Sequence, residues 1–101
     1  MIVVALVGDL LDRSKIAAAV PGTRFGTGPD ECGGAEVVVI DVKAHPDAVA
    51  TVRALVPAAR IIAYGRHDDP AALDAARAAG ADVSLPRSRF FHDPAAAVDS
   101  A

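Results

Sequence analysis

The sequence predicts one α/β domain built on a parallel sheet, and three observations predict it. Two runs, Ile2–Val7 and Glu36–Val42, are β-branched and apolar without alternation, as in strands covered on both faces. Helical patterns that open on an acid followed by proline come further along, at Asp69-Pro70 and Asp93-Pro94. The 101 residues leave room for a single core, so the domain is taken as 1–101.

The elements follow in order. Ile2–Val7 is the first strand, and Gly8-Asp9 interrupts it too early for a signal peptide or membrane span. Asp12 is placed as the cap of a helix whose apolar face is Ile16, Ala19 and Val20, ended by Pro21-Gly22. Thr23–Phe25 is a weak second strand. Gly26, Gly28, Pro29, Gly33 and Gly34 then make a loop before the clearest strand, Glu36–Val42, with Asp41 at its exit. Pro46 suits a first helical position, with Val49, Val52, Leu55 and Val56 at helical spacing and Pro57 closing. Arg60–Tyr64 is the fourth strand, Ala71–Ala79 a helix capped by Asp69 and ended by Gly80, and Asp82–Leu85 the fifth strand. A short helix starts at Asp93-Pro94. The alternation implies parallel strands joined by right-handed crossovers.

Composition narrows the function. Apolar residues make up 52% and charged residues 23%, with a formal charge of −3 and basic residues scattered from Arg13 to Arg89, which gives no footprint for nucleic acid or an anionic membrane. Cys32 is alone, has no intramolecular disulfide partner and is given no role; this agrees with a reducing compartment, and the expected location is the cytoplasm. Gly26-Thr27-Gly28 precedes no helix and is not a dinucleotide fingerprint, and there is no Walker sequence. None of Ser14, Ser84, Ser88 and Ser100 sits in a nucleophile elbow, so an independent enzyme is not expected.

In open parallel sheets ligands collect at the carboxyl ends of the strands, near the point where strand order reverses. That rim carries Asp9 after strand one, Asp41 after strand three, Gly65 and Arg66 after strand four, and Pro86 and Arg87 after strand five. Two carboxylates sharing a rim favour a bound cation or a raised pKa for one of them. Their alternative is simpler: Asp9 a capping or solvated residue, Asp41 a charged loop shoulder. His45, His67 and His92 lie beyond strands three, four and five on the same rim, and with Asp41 they form a candidate transition-metal set, although their spacing matches no metal motif. Exposed loop histidine is the alternative for each, with His45 as a cap for the helix at Pro46.

Gly8-Asp9, Val39-Ile40-Asp41 and the segment Ala75–Asp82 together resemble the receiver domain of two-component response regulators, over nearly the whole chain. The resemblance implies a flavodoxin-like, doubly wound five-stranded parallel sheet in the order 2-1-3-4-5, with strand three internal and Asp9 close to Asp41. It implies Asp41 as phosphoacceptor, with Asp9, Asp41 and the backbone carbonyl of Lys43 as oxygen ligands of Mg²⁺. It also exposes departures. Gly8 stands in place of the first acid of the pair, Gly65 in place of the Ser or Thr hydroxyl on strand four, and Ser84 in place of the aromatic that reports that hydroxyl's movement. Counting seven residues from Gly80 puts Arg87 in place of the strand-five lysine.

The expectation is therefore a stand-alone pseudo-receiver, a regulatory protein–protein interaction module in signal transduction with no cofactor or only weakly bound Mg²⁺. The alternatives are a working receiver phosphorylated on Asp41 by a histidine kinase partner, and a small ligand or metal carrier using the same rim. Only eleven residues separate Phe25 from Val37, too few for a helical crossover, so the second helix of a receiver is expected to be missing or reduced. Its loss is expected to leave the face of strands one and three bare, as a surface for self-association or for a partner protein.

Overall fold

The computed structural model describes residues 1–99, so Ser100 lies outside the described residues. Five parallel strands stand in the order β2-β1-β3-β4-β5, as expected: β1 (Val3–Leu6), β2 (Arg24–Phe25), β3 (Val37–Asp41), β4 (Arg60–Gly65) and β5 (Val83–Pro86). β3 is the central strand and is buried along its whole length, which explains its uninterrupted apolar run.

Strand alternation divides the core in two. Val4, Leu6, Val38, Ile40, Ile61 and Ala63 pack on one face beneath α2 (Ala48–Leu55) and α3 (Pro70–Ala79), with Val49, Val52 and Ala76 among the helical contributors. Val3, Ala5, Val7, Val37, Val39, Ile62 and Tyr64 pack on the other with Ile16 of α1 (Leu10–Ala19), Phe90 of α4 (Arg87–His92) and Val98 of α5 (Pro94–Asp99).

The structure moves several boundaries. The cap of α1 is Asp9, whose Oδ1 accepts a hydrogen bond from Asp12 N at 3.0 Å; Asp12 lies one turn inside, four residues before Ile16 on the buried face. Pro46 does not open α2. The chain leaving Asp41 first makes a turn, closed by His45 N donating to Asp41 O at 2.9 Å, and the helix begins at Ala48; no side chain caps it, His45 included. Residues 87–92, to which the sequence assigned no element, are helical: Pro86 ends the strand and Phe90 is fully buried against Tyr64. Asp93 separates this turn from α5, where its Oδ1 accepts from Ala96 N at 3.1 Å.

The crossover from β2 to β3 contains no α-helix, only a 3-10 turn at Pro29–Cys32. Glu31 folds back so that its carboxylate accepts from Thr27 N, from the Thr27 hydroxyl at 2.9 Å and from Gly28 N at 3.2 Å. The face of β1 and β3 is nevertheless not bare. Cys32 and Ala35 are buried against the same core face as Leu6, Val38 and Ile40, and α2 packs over the turn. Small side chains let the loop backbone do the covering that a helix does elsewhere, so the expected open face, and the argument for self-association built on it, is corrected.

At the opposite end of the sheet from the rim, Gly80 turns the chain into β5 at φ +121°. Arg53 locks this corner, donating to Gly80 O at 3.1 and 2.9 Å, Ala59 O at 2.7 Å and the Asp82 carboxylate at 2.7 Å. The same Asp82 oxygen accepts from Ile61 N at 2.8 Å, which accounts for the Gly-Ala-Asp turn in structural terms.

Candidate functional site

The carboxyl ends of β1, β3, β4 and β5 surround an open cleft of about 580 Å³ lined by Gly8, Asp9, Asp12, Asp41, Lys43 and Ala44, with Arg66 and Arg87. The structure thus brings together Asp9, Asp41, Lys43, Gly8 and Arg87, as the sequence led us to expect. Gly65 forms the buried end of β4, one residue beyond Tyr64, which is in register with Asp41. Ser84 is directed elsewhere: it is buried, and its hydroxyl donates to Leu73 O at 2.8 Å, tying β5 to α3. His67 lines a neighbouring cavity, and His45, His67 and His92 do not join Asp41 in a metal-binding group.

Asp41 is 8% exposed, and its Oδ1 accepts from Lys43 N at 3.1 Å, which fixes the carboxylate at the mouth of the turn. Asp9 has one oxygen engaged as the α1 cap. A Cβ added to Gly8 meets nothing within 4 Å, so the acid missing there is a loss of a side chain from open space. A Cβ added to Gly65 falls 2.9 Å from Val42 Cγ2 and 3.2 Å from Leu73 Cδ2. Both of those neighbours are buried, so a side chain at this position requires Val42 to shift and Leu73 to give way.

The central electrostatic feature is one the sequence reading missed. Asp12, only 1% exposed, is gripped by Arg87 through two bonds, Nη1 to Oδ2 at 2.5 Å and Nη2 to Oδ1 at 2.8 Å, in the paired geometry that favours arginine over lysine. Tyr64, fully buried, donates its hydroxyl to Asp12 Oδ2 at 3.0 Å. Its ring stacks on Phe90 at 4.9 Å and meets Phe91 edge-on at 5.1 Å, while the Arg87 guanidinium lies 5.1 Å from the Phe91 centroid. Arg87 therefore serves Asp12 and the aromatic cluster. The available sequence signal was that Asp12 precedes Ile16 by four residues and so shares its buried helix face.

The Arg87 bonds hold the Asp12 carboxyl below its ordinary value of 3.8 against the opposing effect of burial. A carboxyl lowered in the folded state stabilises the fold above its unfolded pKa, and that contribution disappears as pH falls through the lower, folded value. Tyr64 is shifted upward from 10.0 by burial and by the negative charge of Asp41 and Asp12, so its contribution is lost as pH rises past the ordinary phenol range. Urea denaturation across pH is expected to show stability falling below about pH 4, with a shallower fall in Asp12→Asn. Equal acid slopes in the two proteins would contradict this.

For Mg²⁺, the chain offers two carboxylates, each with one oxygen already bonded to a backbone N–H, and the Lys43 carbonyl. Among the described residues no three His, Cys, Asp or Glu side chains form a metal-binding group. The second oxygen of each carboxylate has no hydrogen bond among the described residues, so with the Lys43 carbonyl the set offers three oxygens to an Mg²⁺ whose remaining positions would be filled by water.

No protein-family model matches the chain, and no curated protein does. Among solved structures, the chain is similar to a response regulator protein from Burkholderia pseudomallei, crystallised with a phosphorylated aspartic acid, calcium ion and citrate. The present chain is 18% identical to it and spans 66% of that protein's length. With 98% of this chain superposed at a TM-score of 0.76, the five-stranded, doubly wound flavodoxin-like fold is that of a response-regulator receiver.

Proposed function

We propose that the chain is a pseudo-receiver: a regulatory module that acts by protein–protein contact and has lost switching by phosphorylation. The observation that carries this reading is the crowded position at Gly65, where a Cβ meets Val42 Cγ2 at 2.9 Å and Leu73 Cδ2 at 3.2 Å. Phosphoryl transfer depends on placing charge-stabilising groups around three equatorial oxygens. Here the strand-four hydroxyl is absent, and Arg87, standing in place of the strand-five lysine, is bound to Asp12. No catalytic group is assigned, and the partner class is another protein or a second copy of the chain. No helix among the described residues is long and apolar enough to cross a membrane, and a cytoplasmic setting belongs to the proposal.

One observation favours a second reading. Asp41 ends the central strand and shares its cleft with Asp9, the arrangement needed for a receiver that still accepts a phosphoryl group from a histidine kinase. The similar response regulator carries its phosphoryl on an aspartic acid. Incubation with a small-molecule phosphodonor and Mg²⁺, followed by intact-mass measurement, separates the two. The pseudo-receiver is expected to stay largely unmodified. Stoichiometric modification that vanishes in Asp41→Asn establishes the second reading instead.

A further inference from the structure

A second cavity, of about 330 Å³, lies beside the rim cleft and shares Arg66 and Arg87 with it. Lys15 comes from α1, Arg66 and His67 follow β4, and Arg87, Ser88 and Phe91 belong to α4. Three permanent cations thus converge on one hollow in a chain whose formal charge is −3. The carboxylates there are accounted for. Asp12 is buried behind Arg87, and Asp68, which also lines the hollow, takes two bonds from Arg66, Nε to Oδ1 at 2.9 Å and Nη2 to Oδ2 at 2.8 Å, in a contact where both side chains are about half exposed, 54% and 50%. At this exposure water screens the pair, and Arg66 Nη1 is not used by it, which leaves that donor for an anion in the hollow. Lys15 makes no ion pair among the described residues; its ammonium rests 5.4 Å from the Phe91 ring centroid.

We propose that this hollow between α1, the β4 exit and α4 binds a small phosphate-bearing anion without covalent attachment. Lys15 and Arg66 supply the charge-assisted bonds, Arg87 closes the back of the site while keeping Asp12, and Ser88 and His67 complete the polar wall. Phe91 offers the apolar side on which the body of a phosphate monoester rests. The volume is at the lower end of the range for small-molecule sites, which selects a phosphorylated metabolite over a polymer. The inference stands apart from the pseudo-receiver reading.

Titration calorimetry without Mg²⁺, with inorganic phosphate and phenyl phosphate as probes, tests it. Saturable binding is expected for both, tighter for phenyl phosphate because of Phe91. Lys15→Ala and Arg66→Ala, both at exposed positions, are each expected to weaken binding roughly tenfold, and Lys15→Glu to weaken it further. Asp41→Asn is expected to bind at least as well as the wild type, since it removes a negative charge from the adjoining cleft. Absence of saturable binding at millimolar probe, or affinity unchanged in both alanine variants, overturns the proposal and leaves the phosphodonor result untouched. Binding that disappears in Asp41→Asn also overturns it, by placing the anion at the strand-three carboxylate.

Discussion

Arg87→Ala is expected to destabilise the fold by about 3 kcal/mol, a large share of what a domain of this size has. The substitution leaves the Asp12 carboxylate at 1% exposure with a single remaining side-chain donor, the Tyr64 hydroxyl. Uncompensated buried charge is what makes breaking such pairs costly, whereas removing both charges is often close to neutral. Asp12→Leu combined with Arg87→Met is therefore expected to recover most of the loss, which a double-mutant cycle in urea measures. Arg87→Lys is expected to fall between wild type and alanine, because one ammonium cannot reproduce the two-bond grip on both Asp12 oxygens. Because Arg87 is 42% exposed, water reaches its outer side, and the estimate is placed at the low end for buried pairs. A cost below about 0.5 kcal/mol would show that the pair is an ordinary surface contact.

Gly65→Thr, the substitution that restores the receiver pattern on strand four, is expected to cost about 1–3 kcal/mol instead of restoring function. Its Cβ would sit 2.9 Å from Val42 Cγ2, and Val42 is a short side chain held in the core beneath α2 and α3. Gly65→Ala should lose somewhat less, since it adds the Cβ without the branched atoms. In the Val42→Ala background Gly65→Thr is expected to be better tolerated than in the wild type, because the colliding methyl is gone. Thermal or urea midpoints for the wild type, the two Gly65 variants, Val42→Ala and the double variant decide it. A Gly65→Thr protein as stable as the wild type would mean that the hydroxyl position is open, and the strongest support for a lost switch would go with it.

Much of the fold was legible because the sequence punctuates it. The runs at Val3–Leu6 and Val37–Asp41 are apolar on both sides, which admits only a covered parallel strand, and Asp69-Pro70 with Gly80 marks both ends of α3. What was not legible depended on tertiary partners. Two acids, Asp9 and Asp12, stand near the start of α1; which one caps and which is buried is decided by Arg87, seventy-five residues further on. The turn Arg87–His92 has no side-chain cap and follows proline, so nothing local announces it; Phe90 and Phe91 packing on Tyr64 holds it in place. The missing crossover helix was read correctly from length. Its consequence was not, because eleven residues without a helix still deliver Cys32 and Ala35 to the core.

The candidate site divides in the same way. Strand exits fix which residues share a rim, so Asp9, Asp41, Arg66 and Arg87 could be placed together from the alternation of elements, while Gly8 and Lys43 joined them through the resemblance. Their pairing could not. Sequence counting placed Arg87 opposite Asp41 in role, while the folded chain gives its guanidinium to Asp12 and the aromatic cluster. Ser84 likewise aligns with a mobile aromatic of receivers, yet it anchors Leu73 O from a buried position.

The central claim, that the receiver fold persists here without its switch, is tested most directly by amide NMR of the wild-type chain titrated with beryllofluoride and Mg²⁺, which mimic a bound phosphoryl group. The account predicts at most small, local, fast-exchange shifts around Asp9 and Asp41, with resonances of Tyr64, Ser84, Arg87 and α3 unmoved. A second, slowly exchanging set of peaks that includes Ser84, Arg87 and α3, and is absent in Asp41→Asn, would contradict it.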